Sequence, residues 1–232
     1  MLSRYTAQVA KRQDIAPDTF LFKLKMPAEF NFLPGQFLMA DFGRNTKGVL
    51  VRRAYSMASP LSELPYVDLA VRTSNNSKSL PFWQKLTAGQ ELAVEGPSGL
   101  FVYQPSGRRK LFLAGGVGIA PIRCMIKSWA EAGDGSQAVL IYGAADKQHL
   151  VYEDEFLTLA KKNPRFKLTM SLENPDGTDY PDGYPTDRLA NISPNPSTDI
   201  AYLCGPPPMV ATAEEKLQAL GFTPDLIKKE RF

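Results

Sequence analysis

The chain has 232 residues, 44% of them hydrophobic and 22% charged, with a net charge of +3. That length buries a substantial core in one large domain or two modest ones, and the scattered Lys and Arg form no basic run of the kind a nucleic-acid binder carries. No apolar run is long enough to span a bilayer, and the start, MLSRYTAQVAKRQD, has no apolar h-region, so a cytoplasmic location is the simplest expectation.

The first hundred residues read as strands. Tyr5 to Lys11 alternates, and Thr19 to Leu24 presents Phe20, Phe22 and Leu24 on one face. Phe37 to Phe42 alternates again after the turn Leu33-Pro34-Gly35-Gln36. Arg53 to Ser56, Tyr66 to Arg72 and Glu91 to Glu95 are further short apolar runs between Gly, Pro, Asn and Ser. Short strands at this spacing predict a small antiparallel barrel.

The pattern changes near Ser106-Gly107. Leu111 to Ala114 is a short apolar strand that enters a glycine-rich turn. Ile122, Met125, Ile126 and Trp129 then recur at helical spacing. Ala138 to Tyr142, Phe166 to Ser171 and Ile200 to Cys204 read as strands, Glu153 to Lys161 and Pro208 to Leu220 as helices, and Leu226 to Lys228 as a last strand. Asn191 to Ser197 is predicted to be a loop. Strands alternating with helices predict a mostly parallel sheet. The domains are therefore expected at residues 1–105 and 106–232.

Gly115-Gly116-Val117-Gly118-Ile119-Ala120-Pro121 follows a strand and opens a helix. Glycines there let the backbone approach a diphosphate, and the helix start supplies free N–H groups. Alone such a turn is a weak signal, and it departs from the common fingerprint: a proline stands at the third small position, and no acidic residue follows at about 20 positions. In Arg53-Ala54-Tyr55-Ser56, an extended backbone puts Arg53 and Tyr55 on one face. A guanidinium suits a diphosphate and a phenol ring can stack on a flat heterocycle, though an ordinary strand would also look like this. Tyr202-Leu203-Cys204-Gly205-Pro206-Pro207-Pro208-Met209 again runs strand, turn, helix, and sets a cysteine at the edge where parallel sheets bind ligands. A buried free cysteine is the plain alternative. Two cysteines, Cys124 and Cys204, cannot hold an iron–sulfur cluster that needs four. The lone His149 is expected at a surface loop or helix end, with no partner nearby for a metal site or triad.

Taken together and in this order, these motifs resemble the ferredoxin–NADP reductase superfamily, over essentially the whole chain. Leu33-Pro34-Gly35-Gln36-Phe37, Gly96-Pro97-Ser98-Gly99, Ser171 closing a strand, and Glu230-Arg231-Phe232 agree with it. The resemblance implies two domains: an N-terminal flavin-binding antiparallel β-barrel and a C-terminal α/β parallel-sheet nucleotide-binding domain. It implies that Arg53 binds the flavin phosphates, Tyr55 stacks on the isoalloxazine ring, and Ser56 hydrogen-bonds near N5, with Ala54 between them. The backbone of Ala70, Val71 and Arg72, with Ser77, Lys78 and Ser79, looks like the second flavin segment. Asn75 and Asn76 stand where relatives usually carry glycines. Gly116, Val117, Gly118 and Pro121 would receive the dinucleotide diphosphate. Cys204 would lie against the nicotinamide, with Gly205, Pro206 and Met209 around it. Glu230 looks like the carboxylate at the flavin edge, and Phe232 would cover the ring face that the nicotinamide must displace.

The implied cofactor is FAD ahead of FMN, with NADH or NADPH as hydride donor. NADPH-dependent relatives often carry Arg after the serine at Ser171 and near the Gly143-Ala144-Ala145-Asp146 segment; here Leu172, Glu173 and Asp146 stand there, which favours NADH. The implied acceptor is a separate redox protein, an iron–sulfur protein or oxygenase component. Two alternatives compete: a free flavin reductase, disfavoured by the phosphate-suited Arg53, and a non-catalytic docking or regulatory subunit, disfavoured by the set Ser56, Cys204, Glu230 and Phe232.

Overall fold

The computed structural model describes residues 3–44, 48–74, 77, 79–133 and 135–231. It divides into two compact units. One runs to Tyr103 and takes in Arg123–Ser128; the other holds Gln104–Ile122 and the chain from Trp129 onward.

The first unit is a six-stranded antiparallel sheet. Its strands are β1 (Ser3–Ala16), β2 (Thr19–Lys25), β3 (Phe37–Arg44), β4 (Leu50–Ser56), β5 (Tyr66–Arg72) and β6 (Glu91–Ser98). They lie in the order β4-β3-β6-β1-β2-β5. Just past β4, Met57 bridges Leu69 of β5, and the Ala58 N–H donates to the Asp68 carbonyl at 2.8 Å. The two ends of the sheet thus meet, which makes the barrel and leaves few open edges. Alternation along the strands fills it: Ala7 and Val9, Phe22 and Leu24, Val67, Leu69 and Val71, Leu92 and Val94 all point inward and are buried. β1 is longer than Tyr5 to Lys11 predicts, and it carries register shifts after Val9 and Asp14 that let one long strand bend around the core. A short helix absent from the sequence prediction, α1 (Leu80–Lys85), plugs the barrel with Trp83, which is fully buried.

The second unit is a five-stranded parallel sheet in the order β11-β10-β7-β8-β9. Its strands are β7 (Arg109–Gly115), β8 (Ala138–Asp146), β9 (Phe166–Asn174), β10 (Asp199–Gly205) and β11 (Ile227–Arg231). Its helices are α2 (Ile119–Ala132), α3 (Glu153–Lys162) and α4 (Pro207–Ala219). The strands alternate between two covered faces, so they read as continuous apolar runs. Leu111 and Leu113 pack with Val210, Ala213 and Leu217 of α4, while the intervening Phe112 stacks on Tyr202 at 5.3 Å. The last strand is Ile227–Arg231, longer and shifted from the predicted Leu226 to Lys228, so Glu230 lies inside it. The predicted loop at Asn191 begins inside a 3-10 stretch, Pro185–Ile192. Among the described residues no helix is long and apolar enough to cross a membrane.

Candidate functional site

In the first unit the Arg53-Ala54-Tyr55-Ser56 motif forms the end of β4, which pairs in the sheet only with β3: Arg53 faces Ala40 and Ser56 faces Phe37. Arg53 and Ala54 are exposed, Tyr55 is half-buried and Ser56 is buried. The guanidinium of Arg53 has no ion-pair partner among the described residues. A cation held at an exposed edge without an internal carboxylate is well suited to a phosphate. Its neighbour Arg52 shows the contrast: it is tied to Asp41 at 2.8 Å and Glu95 at 3.0 Å and has no such freedom.

Tyr55 is held by groups that carry no sequence motif. Its hydroxyl accepts from Trp83 Nε1 at 3.0 Å, and the two rings meet edge to face with centroids 5.0 Å apart. Phe42 packs edge-on against Tyr55 at 6.3 Å. Burial raises the Tyr55 hydroxyl above its usual range, against hydrogen bonds from Trp83 and Ser79 that lower it. Ser79 is itself buried and shares a 2.9 Å hydrogen bond with Ser77. The phenol end of Tyr55 is thereby joined to the Ser77–Ser79 segment; Lys78, Asn75 and Asn76 fall outside the described residues. Ala70 and Val71 are buried on β5, while Arg72 is exposed and pairs with Asp18 at 2.7 Å.

In the second unit every strand is parallel to its neighbours, so all five C-terminal ends share one edge. β7, at the centre, runs into Gly116–Gly118, a 3-10 turn that leads directly into α2. Gly116 adopts φ +52°, a conformation that favours glycine. Gly116 and Val117 are half-buried; Gly118 and Pro121 are buried, and Pro121 lies in the first turn of the helix. Gly118 is required by packing. A Cβ there would stand 2.3 Å from the Cys204 carbonyl oxygen, and one on Gly115 would stand 2.6 Å from the sulfur of Met209. The glycine turn and the Cys204-Gly205-Pro206 turn lie backbone against backbone.

Cys204 closes the apolar run of β10, in register with Ala114 on one side and Glu230 on the other. It is fully buried. Burial first, and the Glu230 carboxylate second, push its thiol well above the ordinary range, so it stays protonated and is no nucleophile. Gly205 is buried, Pro206 exposed and Met209 half-buried. Phe232 lies outside the described residues. Ser171 does not close its strand as predicted: β9 continues to Asn174, and Ser171 is fully buried beside Gly143 with its hydroxyl oxygen lacking a partner. His149 does sit at the end of a short helical turn, but it has a partner after all: its Nδ1 lies 2.7 Å from Asp146 Oδ1. A cavity of about 530 Å³ opens at the opposite, N-terminal edge of this sheet, beside Arg109 and Asp199. Those two are bound to each other (Nε to Oδ1, 3.0 Å).

Comparison with known proteins settles the family. Residues 6–103 match the oxidoreductase FAD-binding domain and residues 112–215 the oxidoreductase NAD-binding domain. The chain is 30% identical over 215 residues to NADH-cytochrome b5 reductase 1 of Aspergillus terreus, covering 88% of this chain and 73% of that protein. The chain belongs to the FAD- and NAD-binding oxidoreductases of the ferredoxin–NADP reductase superfamily. It is also 29% identical over 231 residues to the toluate 1,2-dioxygenase electron transfer component of Pseudomonas putida, covering 98% of this chain and 67% of that one. An Amycolatopsis cytochrome P450 reductase superposes with a TM-score of 0.89 at 26% identity, over 100% of this chain and 70% of its own. The chain spans 58%, 57% and 42% of the length of three further curated relatives.

The residues present fit the two groups that the family binds. The first unit offers an uncommitted guanidinium and a braced aromatic ring. The second offers a glycine turn at a helix start, opposed by a second turn, at the edge where open parallel sheets take ligands.

Proposed function

We propose that this chain takes a hydride from NADH onto bound FAD and passes the electrons to a separate redox protein, an iron–sulfur protein or an oxygenase component. Arg53 on β4, without an ion-pair partner among the described residues, carries the reading, since a phosphate clamp calls for a retained flavin nucleotide, and the match to the FAD-binding domain speaks for FAD. The same point disfavours a free flavin reductase. The likeness to an electron transfer component and to a P450 reductase supports a protein acceptor. We set the boundary between the two domains at about residue 105.

Bound flavin supplies the redox chemistry, accepting a hydride and releasing electrons singly or as a pair. The chain's own residues bind and orient. Arg53 holds the flavin phosphates, and Tyr55, its hydroxyl fixed by Trp83 and Ser79, offers its ring to the isoalloxazine. Ser56 donates near N5. The Ala70–Arg72 backbone and the Ser77–Ser79 segment hold the rest of the flavin. Gly116, Val117, Gly118 and Pro121 receive the dinucleotide diphosphate, and Ser171, buried beside Gly143 on β9, backs the nucleotide site. Cys204, Gly205, Pro206 and Met209 bound the nicotinamide pocket, where the neutral thiol gives contact without charge, and Glu230 sets the local charge. NADH is favoured because carboxylates, Asp146 and Glu173, suit a free ribose hydroxyl.

The test is the visible spectrum of the purified protein, followed by NADH and NADPH added separately without oxygen. Flavin bands present at purification and bleached faster by NADH are the expected result. A colourless protein that oxidises NADH only with added flavin would instead establish a free flavin reductase, and inertness with FAD and FMN would leave a docking subunit.

A further inference from the structure

We infer that Glu153 shifts the choice between the two nicotinamide dinucleotides, by holding two groups at this end of the sheet, Lys147 and Tyr180, that could bind a 2′-phosphate. The inference rests on the proposed dinucleotide site. With the diphosphate at the turn after the central strand β7, and the nicotinamide on the β10 and β11 side with Cys204 and Glu230, the adenosine half extends over the ends of β8 and β9. Those ends carry a cluster of three side chains, Lys147, Glu153 and Tyr180. Lys147 follows the last residue of β8, Glu153 is the first residue of α3, and Tyr180 lies in the segment after β9.

A 2′-phosphate is bound by cations and by hydroxyl donors. Lys147 and Tyr180 are such a pair, and they lie together: the Lys147 ammonium stands 5.2 Å over the centre of the Tyr180 ring. Both are committed to one carboxylate. Lys147 Nζ bonds Glu153 Oε2, and the Tyr180 hydroxyl donates to Glu153 Oε1. Burial, and then Glu153, push that hydroxyl up to about 12, so it remains a donor at any working pH. The nearby Arg188 guanidinium donates to the Asp182 carbonyl. Asp154 and Glu155 follow Glu153 in the first turn of α3, where they offset the helix dipole that would otherwise welcome a phosphate. Asp146 is held below the usual carboxylate range by its hydrogen bond with His149. A ribose hydroxyl meets no penalty here; a phosphate dianion meets a neutralised lysine among carboxylates.

The test is binding of adenosine 2′,5′-bisphosphate and of 5′-AMP to the FAD-loaded protein, by calorimetry. Glu153→Gln should tighten the bisphosphate relative to 5′-AMP by about tenfold, the worth of one freed charge-assisted hydrogen bond. Glu153→Gln combined with Lys147→Gln should lose most of that gain, keeping only what the freed Tyr180 hydroxyl contributes. No change in Glu153→Gln, or a gain that survives undiminished in the double variant, overturns the inference. Lys147→Gln alone gives a second check that does not depend on how well the Glu153 variant folds. It should leave bisphosphate binding within about twofold, because the ammonium is already committed; a tenfold loss would show Lys147 serving the phosphate and overturn it. Failure to bind either fragment overturns the dinucleotide site itself, which is a different result from binding both with an unmoved ratio.

Discussion

Cys204 shows how burial decides the role of a reactive residue type. A thiol at the C-terminal edge of a parallel strand sits where ligands bind, yet full burial beside Glu230 keeps it protonated. The thiolate would be needed for covalent chemistry; the neutral thiol offers a small apolar surface. The same shift is a statement about stability. In the unfolded chain the thiol ionises above about pH 8.5, while in the folded chain it does not until a higher pH. Below that value Cys204 contributes no pH dependence. Above it, the folded state binds the extra proton, and stability falls with rising pH by up to about 1.4 kcal/mol per unit. Between pH 8.5 and 10, the urea-unfolding free energy should therefore fall more steeply in the native protein than in Cys204→Ala. The cavity left by alanine lowers the whole curve without altering its slope, so parallel curves would rule out this account.

At the scale of elements, the second unit is organised by one contact between two turns. The strand β7 and the strand β10 are neighbours, and the turns that follow them must share the same edge. They do so by having no side chain at the contact. Gly118 has φ −59° and ψ −11°, an ordinary helical conformation that alanine adopts freely, so glycine is required there by space. The obstacle to a Cβ is the Cys204 backbone, which cannot rotate out of the way as a side chain can. Gly118→Ala should lower stability by about 1–3 kcal/mol, the usual cost of overpacking, and should weaken dinucleotide binding as the turn is displaced. A thermal melt and an NADH titration read both; an unchanged melting temperature would show that the turns tolerate separation. The sequence alone made the glycines look like a response to the ligand, because the second turn lies some 85 residues away and nothing local announces it. Trp83 was hidden for the same reason. Its contact with Tyr55 closes across the barrel between residues with no spacing rule, whereas Arg53 to Ser56 are legible as consecutive residues of one strand. Helix α1 was missed because six residues give too little periodicity to register.

At the scale of the molecule, the barrel-then-parallel-sheet order was legible because period-two runs give way to strands alternating with helices near Ser106. The longest continuous apolar runs marked the parallel strands, since both their faces are covered. What stayed illegible were the strand ends: β9 past Ser171 and β11 through Glu230, where exposed polar residues continue a ladder that hydrophobicity no longer marks. The division into two units, each with its own core, makes a prediction that neither unit makes alone. If flavin is held by the first unit and the dinucleotide by the second, the two losses should separate. Arg53→Ala removes an exposed cation without a carboxylate partner among the described residues, so it leaves the fold intact and weakens flavin retention by about tenfold or more, as loss of a charge-assisted phosphate contact does. That protein should purify pale yet still bind 5′-AMP as the native chain does. Gly118→Ala should keep its flavin bands and bleach slowly with NADH, while chemical reductants such as dithionite still reduce it fully. The decisive measurements are the flavin-to-protein absorbance ratio and the 5′-AMP dissociation constant, taken on both variants. If Arg53→Ala loses nucleotide affinity in step with flavin, the two binding functions are not housed separately, and the assignment of Arg53 to the flavin phosphates fails with them.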